Sequence, residues 1–514
     1  MNTINTSTPP TDTIPLLQKI AYGIGMMGNQ MLPAALMIFS VVLIQDLGMN
    51  PLLWGLISFV PRLFDALTDP IMGFISDNTK SRWGRRRPYI FIGSIMAGLS
   101  YILMWQISAE NSEMYNFTYF LACSIWFYLG LTIFATPYVA MGYEMSSDFH
   151  ERTRLMALSQ WIGQWAWVIV PWFWVVLYDT RYFATATEGA RYLSIWVGLG
   201  CLAMTMVPAL FCKTQKVDEA SLQDLSRKNF KNNITVFLKG FKDTFMCKPF
   251  RKLCIATLGV YSAFNTTAAF SFFIIVYYIN QGSTELAGTW PTWFGTMSAI
   301  ATCFLVIPII TFMSQKLGKK NAFIISQCIS IFGYLMFWWA FNPSNPWLMF
   351  IPLPLWAFGI GSLFTLMMSM TADVCDLDEL NTGARREGAF GAVYWWMVKF
   401  GFAVSGLGTG LILSFIGFDQ SVAVQSAEAQ TGLRLAYIFV PIAGTLLAIF
   451  VMRNYEVDET RAHEIRTALE AKRKEKKLAT AARKDQNSAS KKTPTEYNNS
   501  ADLTGNNQAV EPTI

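Results

Sequence analysis

Asp65 and Asp69 stand four residues apart in the apolar stretch "LFDALTDPIMGFIS", residues 63–76. A single aspartate at the middle of a membrane helix costs roughly 2.5–3.5 kcal/mol on insertion scales, so a pair demands compensating chemistry. On a helix this spacing sets both carboxylates on one face, with Cβ atoms about 6 Å apart and Thr68 beside Asp65. Two anions that close in a low-dielectric site do not both stay bare: a proton or a bound cation must neutralise part of the charge. Three more polar residues interrupt apolar runs, Lys399 in "VYWWMVKFGF", Thr132 in "LGLTIFATPY" and Gln30 in "MMGNQMLP". With Lys399 facing the aspartates, two negative charges and one positive leave one net negative charge, which one monovalent cation, H+ or Na+, closes. Such a cluster reads as part of an ion pathway. The competing reading is a buried ion pair that only locks helices together.

The elements that must carry these residues follow from composition. The 514 residues are 53% hydrophobic and only 14% charged, too apolar for the surface of a soluble chain of this size, so the sequence reads as an integral membrane protein. The polar opening with Pro9 and Pro10, followed by a long apolar run, predicts no cleavable signal, so the first helix is expected to be retained. Windows long enough to cross about 30 Å of hydrocarbon fall at 17–43, 51–76, 88–107, 115–144, 153–178 and 190–211, then at 250–279, 290–313, 320–341, 346–371, 387–416 and 432–452. The chain therefore divides into an N-terminal segment 1–16, a six-helix half 17–211, a polar connector 212–249, a second six-helix half 250–452 and a tail 453–514. The tail is expected to be an exposed, mixed-charge helix over "DETRAHEIRTALEAKRKEKK" and then disordered. "SDNTKSRWGRRRP" after the second span echoes "SQKLGKKNAF" after the eighth, and parallel repeats of this kind set a solute site between halves near the midplane.

Basic residues settle the expected orientation. Lys80, Arg82, Arg85, Arg86 and Arg87, then Arg152 and Arg154, then Lys316, Lys319 and Lys320 all fall in loops on one side, whereas the opposite loops carry Asp46, Glu110, Glu113 and Glu285. Both termini and the connector are thus expected in the cytoplasm. The formal charge of +6 is spread over these loops and the tail, which argues against a nucleic-acid partner. The eight cysteines form no CxxC pair and only His150 and His463 are present, so neither a metal enzyme nor nucleophilic catalysis is expected, and no cofactor beyond the coupling ion.

At this point three segments resemble a known family. "RLFDALTDPIMGFISDNTKSRWGRRRPYIFIG", "YEMSSDFHERTRLMALSQ" and "TADVCDLDELNTGARREGAFGAVYWWMVKFG" are similar to the glycoside-pentoside-hexuronide:cation symporters of the major facilitator superfamily, whose familiar member is melibiose permease. The likeness covers most of 17–452. It implies an all-α membrane protein with the major facilitator fold, twelve transmembrane helices in two six-helix halves. It implies cation-site positions at Asp65, Thr68, Asp69 and Thr132, with Na+ among the ions Asp65 and Asp69 would accept, and Lys399 as the nearby positive charge. The family's galactoside-reading charges are replaced here: a Lys-Asp pair by Asn29 and Gln30, an aspartate by Ala135, an arginine by Gln160, and a Gln-Thr pair by Tyr394 and Trp395, while an aromatic survives as Phe364. "GRRRPYI" and "GNQ" lean toward the sucrose transporter group.

Sugars need amides and hydroxyls for their OH groups and aromatic faces for their C–H faces. The substrate set expected on that basis is Asn29, Gln30, Gln160, Gln164, Trp165, Asn265, Phe364, Tyr394 and Trp395. A gate on the cytoplasmic side is expected from Asp77, Arg86, Arg152, Asp373, Asp376 and Arg386, with cross-half pairs such as Arg152 with Asp373 or Asp376. The competing reading of the arginine cluster is a topology signal, and that of the acidic run is a set of separately solvated loop charges. The whole reads as a monomeric transporter in a bacterial inner membrane that imports a glycoside, such as a glucoside, with H+ or Na+. The alternatives are a Na+-coupled lysolipid carrier, a hexuronide carrier and a sugar receptor that does not transport.

Overall fold

Asn50, Ser112, Thr185 and Ser426 each accept a hydrogen bond from a backbone N–H two or three residues on, at Leu52, Tyr115, Glu188 and Ala429, satisfying donors that a helix start leaves open. The computed structural model describes residues 13–146, 149–213, 235, 239–383, 387–419, 422, 424–465 and 467–472. Among them are twelve long helical stretches and no strand. The first six are α1 Leu16–Phe39, α2 Pro51–Asp77, α3 Arg87–Met104, α4 Glu113–Glu144, α5 Phe149–Ile169 and α6 Ala186–Phe211. The second six are α7 Lys248–Phe273, α8 at 290–317, α9 Lys319–Ala340, α10 at 353–382, α11 Glu387–Phe415 and α12 Ala427–Arg453. Ten of these stretches are long and apolar enough to cross a membrane by length and composition alone. The other two are α2, interrupted by Arg62, Asp65 and Asp69, and α5, which opens on His150, Glu151, Arg152 and Arg154.

The fifth and tenth spans differ most from the sequence expectation, each with a proline at one boundary, and other ends shift by up to about five residues. The fifth helix stops at Ile169 and continues as a 3-10 turn, Val170–Trp172, around Pro171, then a short helix Phe173–Leu177, because proline has no N–H for the preceding turn. The tenth begins only after Pro352, behind a 3-10 turn Pro346–Phe350, and runs on to Thr382, so the acidic run is helical throughout.

The start of α1 lies near the end of α6, where the Cys212 thiol reaches the Gln18 carbonyl at 3.6 Å, and the start of α7 lies near the end of α12, where Lys252 pairs with Glu456 at 3.0 Å. The start of α1 and the end of α12 lie at one end of the bundle, here called the terminal end, opposite the distal end. Within each half, small residues let backbones approach: Gly98 and Gly198 join α3 to α6, and Gly259 and Gly444 join α7 to α12.

The halves meet along α2 and α11, where Gly55 packs on Gly406 and Gly410. They also meet at the distal end. There Trp174 packs edge-on against Phe272 with centroids 4.6 Å apart and donates Nε1–H to the Gly288 carbonyl at 3.0 Å, and Thr292 donates to the Pro171 carbonyl at 2.9 Å.

The tail helix is exposed along most of its length but docks by one narrow edge. Residues 459–465 and 467–472 are helical, but Ile465 and Leu469, four apart on one face, are buried together with Val457 against the second half. Lys472 also donates to the Leu380 carbonyl at 3.0 Å, tying the tail to the end of α10. Residues from 473 onward lie outside the described residues.

Candidate functional site

The crossing of α2 and α11 assembles the charged residues. Pro61 and Pro70 bracket the segment of α2 that carries them, and each removes one rung of the backbone ladder where the charges sit. Asp65 is buried, only 5% exposed. Its Oδ1 accepts from the Thr132 hydroxyl and its Oδ2 lies 2.8 Å from Lys399 Nζ. Asp69 Oδ2 lies 2.5 Å from the same ammonium, and its Oδ1 accepts from Thr136 at 3.1 Å. Every carboxylate oxygen thus has a partner, two from α4 and two from α11. Thr68 turns its hydroxyl onto the Phe64 and Asp65 carbonyls, at 3.2 and 3.0 Å, and sits 3.3 Å from Thr132 Oγ1.

Reasoning from the sequence missed two members of this cluster. Thr136 stands one turn past Thr132 on the same face of α4, a spacing that could have found it. Arg62 stands three residues before Asp65 in the same apolar run. Its Nη1 donates to the Ser58 carbonyl at 2.9 Å and its guanidinium lies 3.9 Å from the centre of the Phe402 ring. Among the described residues no carboxylate comes within ion-pair distance of it, 4.0 Å. Counting Arg62 changes the balance: two carboxylates, one ammonium and one guanidinium sum to zero, not to the single negative charge expected from sequence.

The expected sugar residues divide into several groups. Gln30 and Gln160 meet across α1 and α5 at 3.2 Å, and the Gln30 oxygen accepts from Trp167 Nε1 at 2.9 Å. Asn29 reaches only the sulfur of Met26, at 3.9 Å, and Asn265 turns back onto the Tyr261 carbonyl of its own helix at 2.8 Å. Gln164 and Trp165 are exposed on α5, with Trp165 edge-on to Trp161. Trp395 is 48% exposed and, four residues before Lys399, shares its face of α11; Tyr394, rotated about 100° away, is fully buried in the second half's core and faces no solute. Phe364, 41% exposed, packs on Tyr261, which also meets Phe402.

At the terminal end, the ion pairs formed between described residues each stay within one half. Arg86 bridges Asp77 and Glu144, both at 2.6 Å, and Lys319 holds Asp373 at 2.5 Å. Asp376 is half-buried on α10. The side chains of Arg152 and Arg386 lie outside the described residues, so the expected cross-half pairs rest on residues the structure does not describe. At the distal end Tyr178 donates to Asp46 Oδ2 at 2.8 Å and to Gln45 at 3.2 Å, and burial pushes the Asp46 carboxyl up to about 6.

Comparison with known proteins agrees with this architecture. A putative sulfoquinovose importer of Escherichia coli (strain K12) is 27% identical over 477 residues, covering 92% of this chain and 97% of that protein. A glucuronide carrier protein homolog of the same organism is 23% identical over 462 residues, covering 88% and 95%. A crystal structure of a bacterial homologue of the human lysosomal transporter Spinster shares the fold, with a TM-score of 0.61 at 12% identity over 87% of this chain and 98% of that one. The model of the family described as MFS/sugar transport protein matches residues 21–459; with a charge cluster where its two halves cross, the chain belongs to that family of membrane transporters.

Proposed function

We propose that the chain imports a glycoside together with H+ or Na+ by alternating access, with Asp65, Thr68, Asp69, Thr132 and Lys399 coupling the two solutes. The observation that carries this reading is the ammonium of Lys399 lying between the carboxylates of Asp65 and Asp69. That ion pair is also a tether, because the acids belong to the first half and the lysine to the second. A cation entering from water competes with Lys399 for the same oxygens, and every one it wins loosens the link between halves. Cation binding and the rocking of the halves are thereby joined in one set of bonds, which is what coupling requires.

The sugar surface is supported by the Gln30–Gln160 pair, which offers amides where α1 meets α5, and by the exposed rings of Trp395 on α11 and Phe364 on α10. Gln164, one turn on from Gln160, extends the same face of α5, whereas Trp165 is turned about 100° from it. Asn29 and Asn265 reach a sugar only by leaving their present partners. The distal contacts of Trp174, Thr292 and Gly288 form the closure on one side. On the other, the Asp77–Arg86–Glu144 and Lys319–Asp373 groups stiffen each half, while Arg152, Asp376 and Arg386 are candidates for pairs that form across the halves when that side shuts. The likeness to bacterial carriers of glucuronide and sulfoquinovose supports a sugar cargo, and basic loops beside both termini support a cytoplasmic terminal end in a bacterial inner membrane. We take the working unit to be a monomer.

The test is uptake into proteoliposomes under separately imposed Na+ and pH gradients, with a panel of glucosides, galactosides and uronides. Accumulation of at least one glycoside driven by one of the two ions is the expected result. Binding without accumulation under either gradient would identify a receptor.

A further inference from the structure

We infer that Trp167 is a positioning residue for sugar recognition: acting through Gln30, it turns the Gln160 amide so that its NH2 group, and not its carbonyl, is offered to the solute. This inference rests on the transport reading above and adds what sets the hydrogen-bonding sense of one side of the sugar surface.

Gln160, Gly163, Gln164 and Trp167 follow one another along α5 at steps of three, one and three residues, so they line one strip of that helix, with Trp167 two turns beyond Gln160. Gln30 of α1 lies across this strip. Its carbonyl oxygen accepts from the Trp167 indole at 2.9 Å, and its NH2 group donates to the Gln160 carbonyl at 3.2 Å. Gly163 leaves the room for this, because a Cβ there would come 2.7 Å from Gln30 Nε2.

An indole N–H donates and never accepts, whereas an amide has one donating and one accepting end. The end of Gln30 that meets Trp167 is therefore the carbonyl, which leaves the NH2 group for Gln160. That NH2 group in turn requires an acceptor, so Gln160 meets it with its own carbonyl and turns its NH2 group away. The sense of the relay is thus set at its donor-only end. Without the indole, the two amides would be free to reverse together, since each would still find a donor for its acceptor. Gln160 is exposed, and among the described residues no acceptor meets its NH2 group. A free NH2 group donates to any sugar oxygen, including the ring and glycosidic oxygens, which carry no hydrogen and would be repelled by a carbonyl. Trp167 itself packs against the apolar core, so its effect on the solute passes through the two amides.

The experiment measures the concentration dependence of uptake into proteoliposomes for the wild-type protein, Trp167→Phe, Gln160→Met and the double variant. The probe is whichever of methyl β-glucoside, methyl β-galactoside and methyl β-glucuronide the wild-type protein accumulates fastest under its driving cation gradient. Trp167→Phe keeps a ring but removes the N–H, and is expected to raise KM about two- to tenfold, the range of one hydrogen bond, with Vmax near the wild-type value. Gln160→Met removes the donor itself and should raise KM at least as far. In the double variant the two effects should not multiply: its KM should match that of Gln160→Met, because Trp167 then has no amide left to orient. Should Trp167→Phe fail to fold, Gly163→Ala, whose methyl group displaces the flexible end of Gln30, takes its place in the same cycle with the same expected result. An unaltered KM in Trp167→Phe or in Gln160→Met would overturn this inference and leave the transport reading standing. So would factors that multiply in the double variant, as they would for a tryptophan that only packs. Accumulation of no glycoside by the wild-type protein would overturn both.

Discussion

Gly55 of α2 and Gly410 of α11 touch backbone to backbone: a Cβ on Gly410 would come 3.0 Å from Gly55 Cα and collide with the Pro51 carbonyl. That approach brings Lys399 of one half within reach of the acids of the other. Gly410→Val should force the helices apart, lengthen the Lys399 contacts and cost about 1–3 kcal/mol, as overpacking does. Lower thermal stability and slower uptake at normal membrane insertion are the expected readings; wild-type values for both would mean that the crossing tolerates a wider gap.

Removing one charge of the cluster should cost more than removing a neutral partner. Asp69→Asn is expected to abolish cation-dependent uptake with expression intact, whereas Thr136→Val, which takes away only one hydrogen bond to Asp69, should slow uptake severalfold. Lys399→Met leaves the buried Asp65 and the half-buried Asp69 without their ammonium, and the cost should stay below the about 3–5 kcal/mol of breaking a fully buried pair. A melting-temperature series on the three purified variants checks the order; unaltered accumulation by Asp69→Asn would refute the coupling role.

The distal closure predicts a lock. Trp172 and Trp293 pack edge to face across the halves with centroids 5.2 Å apart. Cysteines at both positions, in a background with the native cysteines replaced and joined by a short bis-methanethiosulfonate, should stop uptake, and reducing the linker's disulfides should restore it. Transport that continues through the cross-link would mean that this end stays shut during the cycle.

Asp46 should make stability depend on pH. Its carboxyl is raised by burial to about 6, against an ordinary value of 3.8, partly offset by the Tyr178 hydrogen bond. The folded protein therefore holds this proton up to higher pH than the unfolded chain. The stabilising contribution is complete below about pH 4 and is lost as pH rises through about 6. The Asp46→Asn variant should remove that slope between pH 4 and 6, read as the difference in melting temperature from wild type. Parallel curves for the two proteins would exclude Asp46 as its source.

Much of the fold was legible because membrane spans announce themselves by apolar length; the fifth and tenth runs were broken by Pro171 and Pro352, and polar ends such as 372–382 continued helical where apolar length gave no signal. Asp65, Asp69 and Lys399 were legible for the converse reason, since a charge in an apolar run stands out. Arg62 stood in the same run and was legible by the same rule; counting it would have given the balanced charge sum from the sequence alone. Tyr394 and Trp395 illustrate a different limit. Adjacent residues on a helix point about 100° apart, so one neighbour faced Lys399's side and the other the core, a choice that the four-residue step from Trp395 to Lys399 would have made. The pairing of Gly55 with Gly410, more than three hundred residues apart, is tertiary and leaves no local signal. The tail helix was legible as exposed and mixed in charge, while its docking edge, Ile465 and Leu469, is too sparse among charges to stand out in the sequence.

The zero sum of Arg62, Lys399, Asp65 and Asp69 carries an electrical consequence. A membrane potential does work only on net charge, about 2.3 kcal/mol per elementary charge per 100 mV. An empty carrier whose moving site is balanced makes its return stroke without feeling that field. A cation travelling with an uncharged glycoside then gives the loaded stroke one net positive charge, which an inside-negative voltage speeds. A potassium diffusion potential, inside negative, imposed with valinomycin at equal cation concentrations on both sides should therefore drive uptake.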